Sequence, residues 1–150
     1  MPELSQRIVG TWELVQCVAR TPDGEESFPS GEDFRGILCY SPDGYVSVNL
    51  MRPGRPLLSP GKAMRTAPDS EIAAISRGYM AYAGPYRVDE AAGVIHHTFE
   101  LCLEPGWIHS PQVRHAKFIG DQLELSVPAP PDRPNGRSVH LLWRRAPAAA

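Results

Sequence analysis

The sequence predicts an all-β domain of eight antiparallel strands, closing as a sandwich or an up-and-down barrel, with one α-helix. Three observations point there. The 150 residues include 13 glycines and 16 prolines, above the average usage of roughly 7% and 5% and too much punctuation for a helical bundle. Pro-Asp-Gly turns recur at Thr21-Pro22-Asp23-Gly24 and Ser41-Pro42-Asp43-Gly44; proline presets φ at the second turn position and glycine takes the φ > 0 that follows. About eight segments alternate with the period of a half-buried strand. A meander of that size closes as a sandwich or as a barrel, and the barrel leaves room inside for one small ligand.

The first strand starts at Val9, with Trp12, Leu14, Gln16 and Val18 on one side and Glu13, Val15, Cys17 and Ala19 on the other. A stretch through Phe28-Pro29 leads to a strand over Arg35 to Ser41, and the second Pro-Asp-Gly turn opens a strand over Tyr45 to Met51. If Ser41 to Gly44 is the turn, Tyr40 and Tyr45 lie opposite each other on a shared face. Residues 52–67, with prolines at 53, 56 and 60, have the length and composition of a lid. A helix follows: Thr66 and Asp69 have capping-box spacing, Pro68 suits the first turn, and Ile72, Ile75 and Tyr79 recur at helical spacing. Further strands span Tyr82 to Asp89, Val94 to Glu104, Val113 to Ile119, Gln122 to Val127 and Ser138 to Arg144. Ala91-Ala92-Gly93, Gly120-Asp121 and the proline-rich 128–136 separate them. The domain is expected over 1–145, with 146–150 a disordered tail.

Composition excludes several classes. Fifteen Lys and Arg against 17 Asp and Glu, scattered along the chain, provide no field for nucleic acid. No window reaches the roughly 18 apolar residues of a membrane span, and the start, Met1-Pro2-Glu3-Leu4, resembles no signal peptide. The expected location is cytoplasmic. Cys17, Cys39 and Cys102 are odd in number and lack metal-ligand spacing, which fits reduced thiols. His96 and His97 are adjacent, so on a strand they face opposite ways and cannot share an ion. No metal and no cofactor are expected; phosphate-loop, Gly-x-Ser-x-Gly and Walker motifs do not occur.

Gly10-Thr11-Trp12 heads the first strand and Leu142-Trp143-Arg144-Arg145 ends the last. Tyr40-Ser41-Pro42-Asp43-Gly44-Tyr45, Met51-Arg52-Pro53-Gly54-Arg55-Pro56, Gly78 to Val88, and Pro105-Gly106-Trp107 with Gln112-Val113-Arg114 lie between them. From about Ile8 to Arg145 the chain resembles the small stand-alone lipocalin-like domain family of the lipocalin superfamily, although His109 stands where that pattern has glycine. The resemblance decides for the barrel: it implies an eight-stranded antiparallel up-and-down barrel with one α-helix, its base closed by the Gly-x-Trp indole against an arginine from the end of the last strand. It implies little about function.

Candidate pocket groups follow from alternation. His97 shares a face with Phe99, Leu101 and Leu103, which points it inward, where burial lowers its pKa toward a neutral, proton-accepting state. In the opposite phase His96 and Glu100 replace it. Arg114 reads as inward with Ala116 and Phe118, with Gln112 at the rim; an inward arginine pairs with a carboxylate or binds an anionic or enolic oxygen. Tyr45, Ser47, Asn49 and Met51 form a polar inner face if Tyr45 follows Tyr40 inward; otherwise Val46, Val48 and Leu50 face the core. Tyr82 and Tyr86 share parity, Trp107 sits near the mouth, and His140 is placed with Leu142 facing the cavity.

The resulting expectation is a monomer or homodimer that takes a small hydrophobic or weakly acidic molecule into the barrel. The enzymatic alternative is a cofactor-free isomerase, cyclase or dehydratase acting on a polyketide- or terpenoid-like molecule of secondary metabolism. His97 would then be the acid/base and Arg114 would stabilise an oxyanion.

Overall fold

A computed structural model describes residues 2–133 and 136–150. Met1 and, within the proline-rich 128–136 connection, Pro134 and Asn135 lie outside the described residues. The strands are β1 (Gly10–Arg20), β2 (Glu26–Ser27), β3 (Arg35–Tyr40), β4 (Tyr45–Met51), β5 (Tyr79–Asp89), β6 (Val94–Thr98), β7 (Leu101–Cys102), β8 (Pro111–Ile119), β9 (Gln122–Val127) and β10 (Ser138–Arg145). Neighbours pair antiparallel in the order β10-β9-β8-β6-β5-β4-β3-β1, and β10 pairs back with β1. Eight strands therefore close into a barrel, while β2 and β7 add to its rim. Besides the four-residue helix α1 (Leu4–Arg7), the described residues form one longer helix, α2 (Asp69–Ser76).

Three local events set which residues face inward, and each departs from simple alternation. In β1 the register slips between Leu14 and Gln16. The bulge at Val15 reverses the phase, so Trp12 and Leu14 share the inner face with Cys17 and Ala19, and Gln16 and Val18 take the other face, where Val18 is nonetheless covered at 1% exposure. At the β3–β4 turn Gly44 takes φ +97° and Ser41 N–H donates to the Tyr45 carbonyl at 2.8 Å. Tyr40 consequently pairs with Val46. The turn holds one residue more than a two-residue hairpin loop, and Tyr45 lies outside with Ser47 and Asn49 while Val46, Val48 and Leu50 are buried. The expected shared face of Tyr40 and Tyr45 does not form.

The third event breaks the strand expected over Val94 to Glu104. Ile95, His97 and Phe99 are buried, then the chain leaves the β8 ladder and Glu100 N–H donates to Ala83 O at 2.9 Å. β7 pairs Tyr82 with Cys102; Leu101 and Leu103, expected inside, are exposed. The helix also differs from expectation. Tyr79 opens β5 rather than extending α2, and Thr66 accepts from Ala63 N–H instead of capping Asp69. Glu71 of α2 instead accepts from Ser59 N–H at 2.9 Å, and Arg55 donates to the Ile75 carbonyl at 3.0 Å, which ties residues 52–67 to the helix.

One end of the barrel is plugged. Trp12 and Ile8 are fully buried there, the Trp12 indole N–H donates to Ile8 O at 2.8 Å, and the Arg145 guanidinium lies 3.9 Å from the indole centroid while donating to the carbonyls of Val9 and Arg7. A flat cation on the ring face satisfies both groups and closes the narrow end. The Glu90 carboxylate accepts from the N–H groups of Leu4 and Ser5, each at 2.9 Å, which anchors α1 to the β5–β6 turn.

Candidate functional site

The opposite half of the barrel encloses a cavity of about 410 Å³. Its wall is mainly apolar: Leu38 of β3, Val48 and Leu50 of β4, Met80 of β5, Leu125 and Val127 of β9, Val139, Leu141 and Trp143 of β10. Ser30 and Phe34 from the β2–β3 connection and Trp107 from the 3-10 turn Pro105–Trp107 stand at the mouth. The proline-rich 52–67 segment, expected as a lid, contributes no lining residue; closure at that end comes from Phe34 and Trp107.

Polar groups enter this surface at few points. Arg114 reaches it from β8, only 9% exposed. Its Nη1 donates to its neighbour's carbonyl, Val113 O, at 3.2 Å, and among the described residues no carboxylate lies within ion-pair distance. Tyr82 of β5 also lines the cavity; burial raises its phenol pKa, opposed by the charge and hydrogen bonding of Arg114. Gln112 sits at the rim.

His97 lines the cavity from β6 and is 2% exposed. Burial, followed by the charge of Arg114, lowers its pKa to about 3, so the imidazole is neutral at physiological pH. Its Nε2 lies 2.8 Å from the Tyr40 hydroxyl. Burial raises the Tyr40 pKa well above the ordinary phenol value, so the hydroxyl keeps its proton; among the described residues Nε2 is the one partner within its reach, and donation to it leaves neither the O–H nor Nε2 unpaired. The neutral ring then carries its hydrogen on Nδ1, and that buried Nδ1 has no partner among the described residues. The Trp143 indole N–H is likewise buried and unpartnered. Both residues belong to the cavity wall.

An aromatic wall stands beside these groups. Tyr82 and Phe99 rings lie 4.2 Å apart, and Trp107 stacks against Phe99 at 6.4 Å. Phe99 backs the wall, whereas Tyr86, expected in the pocket, donates to Ser41 O at 2.8 Å and meets Tyr40 edge-on. Tyr40 lies one layer behind His97.

Three expected pocket residues lie outside the barrel. Tyr45 is 54% exposed because of the β3–β4 turn. Asn49 accepts from the Tyr79 hydroxyl at 2.6 Å in an outer groove with Glu13, Arg35 and Arg144. His140 has the opposite parity to the cavity residues Val139 and Leu141; its Nδ1 is 3.4 Å from Glu124 Oε1 and its Nε2 2.8 Å from Ser138 Oγ. Glu100 and His96 are also absent from the cavity wall. Alternation on β10 was assigned in the wrong phase, which hid Trp143 and Leu141; the motif around Trp143 drew attention only to the base.

A closed antiparallel eight-stranded barrel, plugged at one end by a tryptophan–arginine pair and hollow at the other, defines a calyx-type protein built around an interior site. The chain belongs to the lipocalin-like domain family, whose model matches residues 9–146. It is similar to the 4'-hydroxy-3'-methoxypropiophenone carrier protein ppsC of Aspergillus oryzae (strain ATCC 42149 / RIB 40), with 34% identity over 110 residues, covering 68% of this chain and 97% of that protein. Among the described residues no helix is long and apolar enough to cross a membrane, and no group of three His, Cys, Asp or Glu side chains is arranged to hold a metal ion.

Proposed function

We propose that the protein is a carrier for a small aromatic ketone bearing a phenol or enol, held inside the barrel. The observation that carries this reading is the Arg114 guanidinium in an apolar cavity with no carboxylate beside it among the described residues. A buried cation without a partner is costly, and an acceptor oxygen on a ligand removes that cost. The volume of about 410 Å³ lies within the roughly 300–1,000 Å³ of small-molecule sites. Flat rings suit the wall of Tyr82, Trp107 and Trp143, and the unpartnered N–H groups of His97 and Trp143 call for further acceptors. The ligand named for the Aspergillus oryzae relative is an aryl ketone with a phenol and a methoxy group, which has that distribution of oxygens.

Carriage is favoured over catalysis by the state of His97. A general base works best with a pKa near the operating pH, whereas His97 is lowered to about 3 and its Nε2 is engaged by Tyr40. It therefore serves as a fixed donor.

Titration of the protein with 4'-hydroxy-3'-methoxypropiophenone, followed by tryptophan fluorescence, tests the reading. Saturable quenching from Trp107 and Trp143 is expected, with binding weakened in Arg114→Met. Absence of binding, or binding indifferent to Arg114, overturns it.

A further inference from the structure

We infer that the cavity binds its phenolic or enolic ligand as the anion, with the ligand oxygen serving as the counter-ion of Arg114. The inference rests on the carrier reading above and concerns the protonation state in which the cargo is held. Its basis is the inventory of groups around Arg114. Tyr82 of β5, His97 of β6 and Cys17 of β1 line the same cavity as Arg114, and Tyr40 of β3 stands behind His97. Burial raises both tyrosines and Cys17, so they keep their protons, and His97 is neutral; among the described residues no carboxylate reaches Arg114. The cavity thus holds one uncompensated positive charge.

The other polar features have the same sign. The buried Nδ1 of His97 and Nε1 of Trp143 have no partner among the described residues, and both are N–H donors in these states. They sit on β6 and β10, separate from Arg114 on β8. Such a wall of donors stabilises an oxyanion by Coulomb attraction and hydrogen bonding, and it offers a neutral hydroxyl few places to send its proton. The separation of the donors favours an acid whose charge is spread over two distant oxygens, through a ring or a conjugated double bond. Para-acylphenols and enolised diketones are vinylogous acids of that kind, and their hydroxyls are more acidic than an isolated phenol. On binding, the ligand O–H bond breaks heterolytically. The electron pair stays on oxygen and the proton leaves to solvent buffer, so no oxidant or further reactant is involved.

The test uses the whole chain with 4'-hydroxy-3'-methoxypropiophenone near neutral pH, below the acidity midpoint of the free phenol, and reads the ligand's absorption, since ionisation moves its band to longer wavelength. The phenolate band is expected on binding, with proton release seen as a buffer-dependent heat of binding, and about tenfold or greater loss of affinity for the ligand's phenol O-methyl ether. Arg114→Gln is expected to bind the probe without the phenolate band. The ether comparison needs no variant and keeps the test decisive if that variant folds poorly. Tight binding of the unionised phenol, or equal affinity for its ether, overturns the inference and leaves the carrier reading standing. Failure to bind either compound overturns both.

Discussion

The Tyr40 hydroxyl and His97 Nε2 meet at 2.8 Å across the barrel interior, both side chains being at most 2% exposed. The contact joins β3 to β6, strands that share no backbone ladder, and it fixes which imidazole nitrogen faces the remaining space unpaired.

Tyr40→Phe leaves Nε2 as a buried acceptor without a donor. A loss of roughly 1–3 kcal/mol in unfolding free energy is expected, read as a lower urea midpoint at unchanged slope. An unchanged midpoint would show that the hydroxyl contributes nothing beyond its ring.

Stability should fall with acidification because of His97. Its pKa drops from 6.5 to about 3 on folding, so between those values the unfolded chain binds more protons than the folded one and stability rises with pH. The contribution is complete above about 6.5 and is lost as pH falls toward 3; the ceiling is roughly 5 kcal/mol at 1.36 kcal/mol per unit. His97→Gln should flatten this part of the profile. Parallel profiles for the two proteins would rule out the histidine as its origin.

Arg145→Ala removes the cation over Trp12 and the donors to the Val9 and Arg7 carbonyls. A loss of about 1–2 kcal/mol is expected, with affinity for the cavity ligand unchanged because the pair lies at the plugged end. Thermal melts and the fluorescence titration separate the two effects.

Gly84→Ala should abolish folding. A Cβ at Gly84 would lie 2.0 Å from Thr98 O and 2.9 Å from Glu100 N, and these are backbone atoms of the segment where β6 gives way to β7. Neither can rotate aside, so insoluble protein is expected, against a soluble control in Gly54→Ala, where nothing lies within 4 Å but a φ of +70° limits the cost to about 1 kcal/mol.

The pattern of what was legible follows from how each signal acts. Gly10-Thr11-Trp12 and the terminal arginines announced the plugged base because the ring and guanidinium meet at fixed chain positions. His97, Arg114, Tyr82 and Gln112 lie at the cavity, as alternation had them, because β5, β6 and β8 run without a slip up to those residues, whereas Trp107 reaches it from a 3-10 turn. Tyr45, Asn49 and His140 were placed there too, and the structure has all three outside. Strand periodicity fixes only relative parity, and one unseen residue in a turn inverts everything after it.

By itself the sequence determined an all-β chain of about eight antiparallel strands in meander order, because strand period and turn preference act over a few residues, and the motifs shared with the lipocalin-like family selected the barrel. Only the tertiary structure decided the phase. The Val15 bulge, the extra residue at Gly44 and the break after Phe99 show only once strands distant in the chain are paired, and that pairing brings Arg114, His97 and Trp143 around one space.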